Sequence, residues 1–257
     1  MEKKIIEGKE RIKNIAIINE NYHDYLRVIH NELQEAKGNI RVFCRVRPKI
    51  GKEIKEESTI SNYIEIPNQN TIIINGPITK SNVGSKNTQS KDTFHFDKVF
   101  GMSDNQEEIF KEISQLIQSA LDGYKVCIFA YGQTGSGKTY TMEGNCNDPS
   151  SQGIIQRSSE KIFATAKELN KLGWKFKIEL SFVEVYLDTV RDLLLESDDN
   201  IISKGAGNNF EKHSSFEVNS FEEMLPYLKR ASKSRVTAET KCNEESSRSH
   251  RYFLKYN

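Results

Sequence analysis

Gly132-Gln-Thr-Gly-Ser-Gly-Lys-Thr139 fits the phosphate-binding pattern G-x-x-x-x-G-K-[ST]. The run Val126-Cys-Ile-Phe-Ala130 precedes it and reads as a short buried strand. Tyr140-Thr-Met-Glu-Gly144 follows and can open a helix. Strand, loop and helix in that order are the context a working phosphate loop needs. Gly132, Gly135 and Gly137 let backbone N–H groups turn inward onto phosphate oxygens, with Gln133, Thr134 and Ser136 between them. The helix start adds positive dipole and free donors. Lys138 is placed to reach the terminal phosphates, and the Thr139 hydroxyl to hold Mg²⁺. The plain alternative, a glycine-rich turn with an incidental lysine, is disfavoured by the apolar strand in front. Nucleoside triphosphate binding is therefore the leading expectation.

Composition narrows the rest. The chain has 257 residues and a formal charge of +1, room for one large domain plus an extension. Balanced charge says little about partners, and binding a polyanion would need a local basic patch; neither nucleic acid nor a membrane is an expected partner. Cys44, Cys127, Cys146 and Cys242 are scattered with no C-x-x-C pair, which argues against zinc and for a reduced, cytoplasmic protein. Cys127, inside the apolar run, reads as a small buried hydrophobe. Met1-Glu-Lys-Lys leads into a charged pattern with no signal-peptide or membrane-spanning character.

Residues 1–37 carry apolar side chains at heptad spacing. One row holds Ile5, Ile12, Asn19, Leu26 and Leu33; the other holds Gly8, Ile15, Tyr22, Ile29 and Ala36. This is an a/d pattern, and Asn19 at an a position is the kind of polar residue that fixes register. A coiled coil with a dimer partner is one reading; a single amphipathic helix packed on its own domain is the other. Gly38-Asn39 ends the helix, and Ile40–Val46 alternates as a strand that Pro48 stops.

Further on, residues 60–66, 71–74 and 94–100 read as strands, and 79–93 as a polar, mobile stretch. Ser103 or Asp104 is the expected cap of a helix carrying Ile109, Ile113, Leu116, Ile117 and Leu121 on one face. A helix is expected over 154–170, a long strand over 174–187 and a polar, poorly ordered stretch over 196–215. Ser220 should cap a helix over 221–233, and 250–256 begins a strand. Strands alternating with helices around a phosphate loop indicate an α/β three-layer fold.

Five segments in order resemble the kinesin motor domain. They are Arg45-Val-Arg-Pro48; Phe96-Asp-Lys-Val-Phe100; Ile128–Met142 around the phosphate loop; Glu184-Val-Tyr186 with Arg191-Asp-Leu-Leu194; and Asn243-Glu-Glu-Ser-Ser-Arg-Ser-His250. The resemblance covers about residues 38–256. It implies a P-loop NTPase fold, ATP and Mg²⁺ as ligands, and an ATP-hydrolysing motor that moves along microtubules. Gly38–Pro48 directly after a heptad helix resembles the C-terminal-motor kinesins, which are mostly minus-end-directed and work in spindles. The implied organisation is a coiled-coil neck over 1–37 and the N-terminal two-thirds of a motor domain over 38–257.

The resemblance also implies roles. Pro48 and Tyr140 sandwich adenine, with Arg45 and Arg47 beside base and ribose. Ser246 and Ser247 of the first switch take the γ-phosphate side and the Mg²⁺-linked water, Asn243 orients that loop, and Arg248 pairs with a second-switch glutamate. Catalysis of this kind works by positioning and charge stabilisation.

The sequence also departs from the family. The second switch, D-x-x-G-x-E, and the principal microtubule-binding elements are nowhere in it. The expectation is a fragment, a truncated gene model or a degenerate copy, and the competing function is a non-motor, ATP-binding dimerisation module. Gln156 stands where the family usually has proline, Leu187-Asp188 replaces Asn-Glu, and Arg251 follows His250 in place of a smaller residue.

Overall fold

A computed structural model describes residues 2–54, 63–80, 87–145, 148–186, 189–195, 201–204, 213–241 and 249–256. The chain forms two compact units, Met1–Val126 and Cys127–Asn257.

The first unit opens with one unbroken helix, α1 (Glu2–Ala36). The N–H of Gly38 closes on Glu35 O at 3.0 Å, with Gly38 at φ 92°, so the expected glycine stop holds. The Ile40–Val46 strand is shorter than expected: β1 spans Phe43–Arg45 and pairs in parallel with β5 (Lys98–Phe100). Between them, β2 (Ile64–Asn68), β3 (Thr71–Lys80) and β4 (Asn87–His95) make a three-stranded antiparallel sheet. The expectation of a mobile 79–93 is corrected at its described residues. Polar β4 pairs with β3 residue by residue from Thr71↔His95 to Lys80↔Asn87, apart from one irregularity between Asn75 and Ile78. Exposed ribbon strands need no apolar alternation, so composition hides them. Val46, Ile72 and Val99 form a small buried cluster with Cys44, Ile64, Phe96 and Met102 against it.

Helix α2 (Gln106–Leu121) buries Ile109, Ile113, Ile117 and Ala120, one stripe at i, i+4, i+8 and i+11. Its cap is Asn105, not Ser103 or Asp104. The Glu108 N–H donates to Asn105 Oδ1 at 3.0 Å, and the Glu108 carboxylate accepts from the Asn105 N–H at 2.8 Å, a reciprocal capping box. Asp104 instead accepts from the Gly101 N–H at 2.5 Å, which turns the chain one step earlier.

The second unit is built on β6 (Ile178–Tyr186). One edge pairs with β10 (Ser249–Tyr256). The other is shared by β7 (Thr189–Asp192), opposite Val183–Tyr186, and β9 (Phe216–Glu217), opposite Glu179–Leu180. β8 (Ile201–Lys204) extends the sheet beyond β7, which corrects the reading of 196–215 as unstructured at its described residues. All these pairings are antiparallel. Leu180, Phe182, Val190, Leu194, Val218 and Met224 are almost wholly buried. Helices α3 (Lys138–Met142), α4 (Ile154–Lys171) and α5 (Phe221–Lys241) complete the unit. Ser220 caps α5 as expected, its Oγ accepting from the Glu223 N–H at 3.2 Å. Among the described residues no helix is long and apolar enough to cross a membrane.

The capping box gives a direct test. Asn105→Ala should lower stability by about 1 kcal/mol, read from the urea midpoint of the full chain, whereas Ser103→Ala should stay within about 0.5 kcal/mol. Equal losses from the two would contradict the assignment of the cap.

Candidate functional site

The phosphate loop begins where the structure departs most from expectation. Val126–Ala130 belongs to no sheet. Phe129 is 79% exposed, Tyr131 is 96% exposed, and Cys127 is exposed rather than buried. The reason is chemical. A run that is apolar on both faces is a central strand, buried only when strands flank both of its edges. Among the described residues none does.

The loop itself takes the geometry its glycines permit. Gly135 and Gly137 sit at φ 80° and 94°, a region that L side chains rarely adopt. A Cβ on Gly132 would lie 2.6 Å from Ser136 Oγ. The Ser136 N–H donates to Gln133 O at 3.2 Å, which curls the loop. The Lys138 ammonium donates to Gly132 O at 2.7 Å and Gln133 O at 2.8 Å. The loop thus folds round its own lysine, whose ammonium is held on two carbonyl oxygens. α3 starts directly at Lys138, with Gly137 at its N-cap offering no side chain to the first N–H groups. Thr139 lies in the first turn, its O accepting from the Glu143 N–H at 2.8 Å, and Tyr140 is half-exposed beside it. Left-handed glycines, a lysine ammonium held at the loop and a threonine in the first turn of the helix are the groups that a nucleotide's phosphates and their Mg²⁺ need.

The end of α3 is clamped to the start of α4. Gly144, at φ 68°, forms a bridge with Gln152, and a Cβ there would lie 2.1 Å from Ser151 O. A Cβ on Gly153 would lie 2.4 Å from Met142 O. Asp148 caps the intervening turn: its carboxylate accepts from the Ser150 N–H at 3.0 Å, Ser150 Oγ at 2.8 Å and Ser151 Oγ at 2.6 Å. The hydroxyls of Ser151 and Ser150, then the Ser150 N–H, hold the Asp148 carboxyl below its ordinary range. Arg157 donates to the carbonyls of Gln152, Pro149 and Ser150. Gln156, where the family usually has proline, is buried in the first turn of α4, where either residue is accommodated. Sequence reasoning missed this clamp; its legible signal was the pair of glycines nine positions apart.

Other expected site residues lie elsewhere. Arg45, Arg47 and Pro48 belong to the first unit, at and just after β1. Arg45 Nη1 donates to Gln106 Oε1 at 2.9 Å, and Gln106 is buried at the first turn of α2. Pro48 is exposed. Asn243, Ser246, Ser247 and Arg248 lie outside the described residues. Of the fourth motif, Glu184 is buried and stands opposite Arg191 in the β6–β7 register. Asp192, 1% exposed, accepts from the N–H groups of Leu194 at 2.9 Å and Ser214 at 2.6 Å, so its role is structural.

The profile of the kinesin motor domain matches residues 45–255. The chain belongs to the kinesin motor family. Among relatives, kinesin-like protein KIN-14N of Oryza sativa subsp. japonica is 44% identical over 236 residues, 88% of this chain and 29% of that protein. Kinesin-like protein KAR3 of Saccharomyces cerevisiae is 38% identical over 260 residues, 96% of this chain and 34% of that protein. This kinesin chain therefore spans about a third of the length of the curated relatives it matches. A solved structure described as the C-terminal motor and motor homology domain of Kar3Vik1, fused to a synthetic heterodimeric coiled coil, superposes with a TM-score of 0.79. The two share 32% identity, over 100% of this chain and 65% of that one. A fast kinesin superposes with a TM-score of 0.69 at 30% identity, over 84% of this chain and 59% of that one. These likenesses carry the P-loop NTPase fold and the similarity to C-terminal-motor kinesins.

The Asp148 turn predicts a pH dependence. A depressed carboxyl stabilises the fold fully above its ordinary pKa, and that contribution disappears as pH falls through the folded value. Asp148→Asn should therefore lose stability at neutral pH, and the gap to wild type should close below about pH 4. Denaturant titrations of both chains between neutral and acid pH measure it; a gap that stays constant would refute the assignment.

Proposed function

We propose that this kinesin chain carries the nucleotide-binding part of an ATP-dependent microtubule motor, minus-end directed and working on the cytoskeleton, the spindle included. The observation that carries the reading is the Gly132–Thr139 loop, curled round Lys138 and running straight into α3, inside a match to the kinesin motor domain. In this reading residues 1–37 are the neck, which pairs with a partner helix, and 38–257 are the N-terminal two-thirds of the motor domain. The heptad spacing of residues 1–37 supports the neck assignment; the solved relative that the whole chain superposes on is fused to a synthetic coiled coil.

The roles follow from chemistry. Backbone N–H groups of Gly132–Lys138 receive phosphate oxygens, and Lys138 exchanges its carbonyl partners for the terminal phosphates. Bound Mg²⁺ supplies charge neutralisation between the phosphates. Thr139 and Ser247 are the side chains that hold it, and Asn243, Ser246 and Arg248 set the γ-phosphate side. Arg45, Arg47, Pro48 and Tyr140 receive the base and ribose; Arg45 is steadied for this by Gln106.

The unpaired run Val126–Ala130 favours a second reading for this chain by itself: an ATP-binding, dimerising module without motor activity.

Lys138→Ala should abolish ATP binding by the 257-residue chain, measured by equilibrium titration with a fluorescent ATP analogue. Unchanged affinity would overturn the assignment of the site. Microtubule-stimulated turnover by the same chain decides between the readings: robust stimulation supports the motor alone, and binding without stimulation supports the module. An antibody to residues 1–37 would show whether the cellular polypeptide exceeds this chain's mass.

A further inference from the structure

Helix α2 is fixed at both ends. At its C-terminal end it receives α1 through polar side chains. Arg27 Nε donates to Asp122 Oδ1 at 3.1 Å, and Asn31 Nδ2 to Asp122 Oδ2 at 3.5 Å. His30 Nε2 lies 3.2 Å from Gln115 O and 3.1 Å from Ser119 Oγ. Gln34 Nε2 and Lys37 Nζ both donate to Gln115 Oε1, at 3.4 and 2.7 Å. At its N-terminal end the Asn105–Glu108 capping box closes the first turn. Gln106, the first residue of the helix, is 3% exposed, whereas Glu107 and Glu108 beside it are exposed. A buried amide needs hydrogen-bond partners. Gln106 Oε1 accepts from Arg45 Nη1 at 2.9 Å, and a charged donor is the stronger kind.

Backbone geometry in the first unit brings these two residues together across 61 positions. β1 ends at Arg45, which stands opposite Phe100 in parallel register with β5. The Val46 N–H donates to Phe100 O at 2.8 Å. The chain then turns at once. Asp104 accepts from the Gly101 N–H at 2.5 Å, and its own N–H donates to Gly101 O at 3.3 Å. Asn105 follows and α2 begins. One short connection thus joins the strand that aligns Arg45 to the helix that carries Gln106. An arginine side chain in water samples many rotamers, and ordering it on binding weakens that binding. Here the ordering precedes the ligand.

We propose that Gln106 is a positioning residue for nucleotide recognition: by holding Arg45 in place, it sets the preference for a nucleoside triphosphate over a bare polyphosphate. This rests on the reading of Arg45 as a base and ribose contact, and goes beyond it by assigning the residue that acts through Arg45. Phosphates are taken by Gly132–Thr139 whether or not a base is attached. The loss of Gln106 therefore falls on ATP and spares a ligand made of phosphates alone. An amide that only tied β1 to α2 would, when removed, weaken both ligands together.

The test is calorimetric titration of the full 257-residue chain, in Mg²⁺ buffer, with ATP and with inorganic tripolyphosphate. Gln106→Leu removes the acceptor and should weaken ATP about tenfold, as a hydrogen bond to a charged group allows, while tripolyphosphate binds as before. Gln106→Glu keeps an oxygen acceptor at a helix start, where a carboxylate is favoured, and should restore most of the ATP affinity. Arg45→Ala should weaken ATP, and adding Gln106→Leu to it should cost nothing further, because the two residues act as one unit. Four results would each overturn the proposal and leave the nucleotide site standing. They are ATP affinity intact in Gln106→Leu, equal losses for the two ligands, no recovery in Gln106→Glu, and a double variant worse than Arg45→Ala. Arg45→Ala without effect on ATP would overturn the base contact and the proposal with it.

Discussion

Backbone pairing along a buried strand is the constraint on which the second unit depends. Each N–H and C=O removed from water must find a partner, and a strand has two edges to satisfy. β6 meets this on both sides, with β10 along one edge and β7 and β9 dividing the other. Leu180 and Phe182 can therefore be buried. Val126–Ala130 is apolar throughout and fails the same requirement, so Cys127 and Phe129 are exposed and Val126, Ile128 and Ala130 only half-buried. The more apolar run is the less buried one, and edge satisfaction is what separates them.

That contrast governs how the nucleotide loop is held. A phosphate loop is fixed from the front by the strand that enters it and from behind by the helix that leaves it. Here the rear anchor is strong. Gly144 and Gly153 allow backbone contact that any side chain would block, Asp148 closes the turn, and Arg157 gathers three carbonyls. The loop's shape is set locally by left-handed glycines and by Lys138 on two carbonyl oxygens. The cradle is thus self-consistent even while its leading strand is unpaired.

Much of this was legible in the sequence because it is local. The phosphate loop, the glycine stop after α1, the Ser220 cap and the stripe of α2 all follow from spacing and side-chain chemistry within a few residues. What escaped was either non-local or compositionally silent. β4 and β8 are polar strands whose partners, not their own residues, make them strands. The fate of Val126–Ala130 turns on neighbours in space. The α2 cap moved to Asn105 because Glu108 completes a reciprocal box that neither Ser103 nor Asp104 forms in the structure. The polar docking of α1 on α2 was hidden because the heptad pattern drew attention to the opposite face.

That docking has a mechanical consequence. α1 is 35 residues long, about 50 Å of continuous helix. Among the described residues its hydrogen bonds with α2 run from Arg27 onward, and the stretch from Glu2 to Leu26 that precedes them is about 37 Å of helix. A stiff rod clamped at one end multiplies the angle of its clamp. Rotating α2 with its docked residues by about 10° would carry the far tip through about 6 Å. The polar clasp between α1 and α2 is thus a fulcrum, and its rigidity sets the gain.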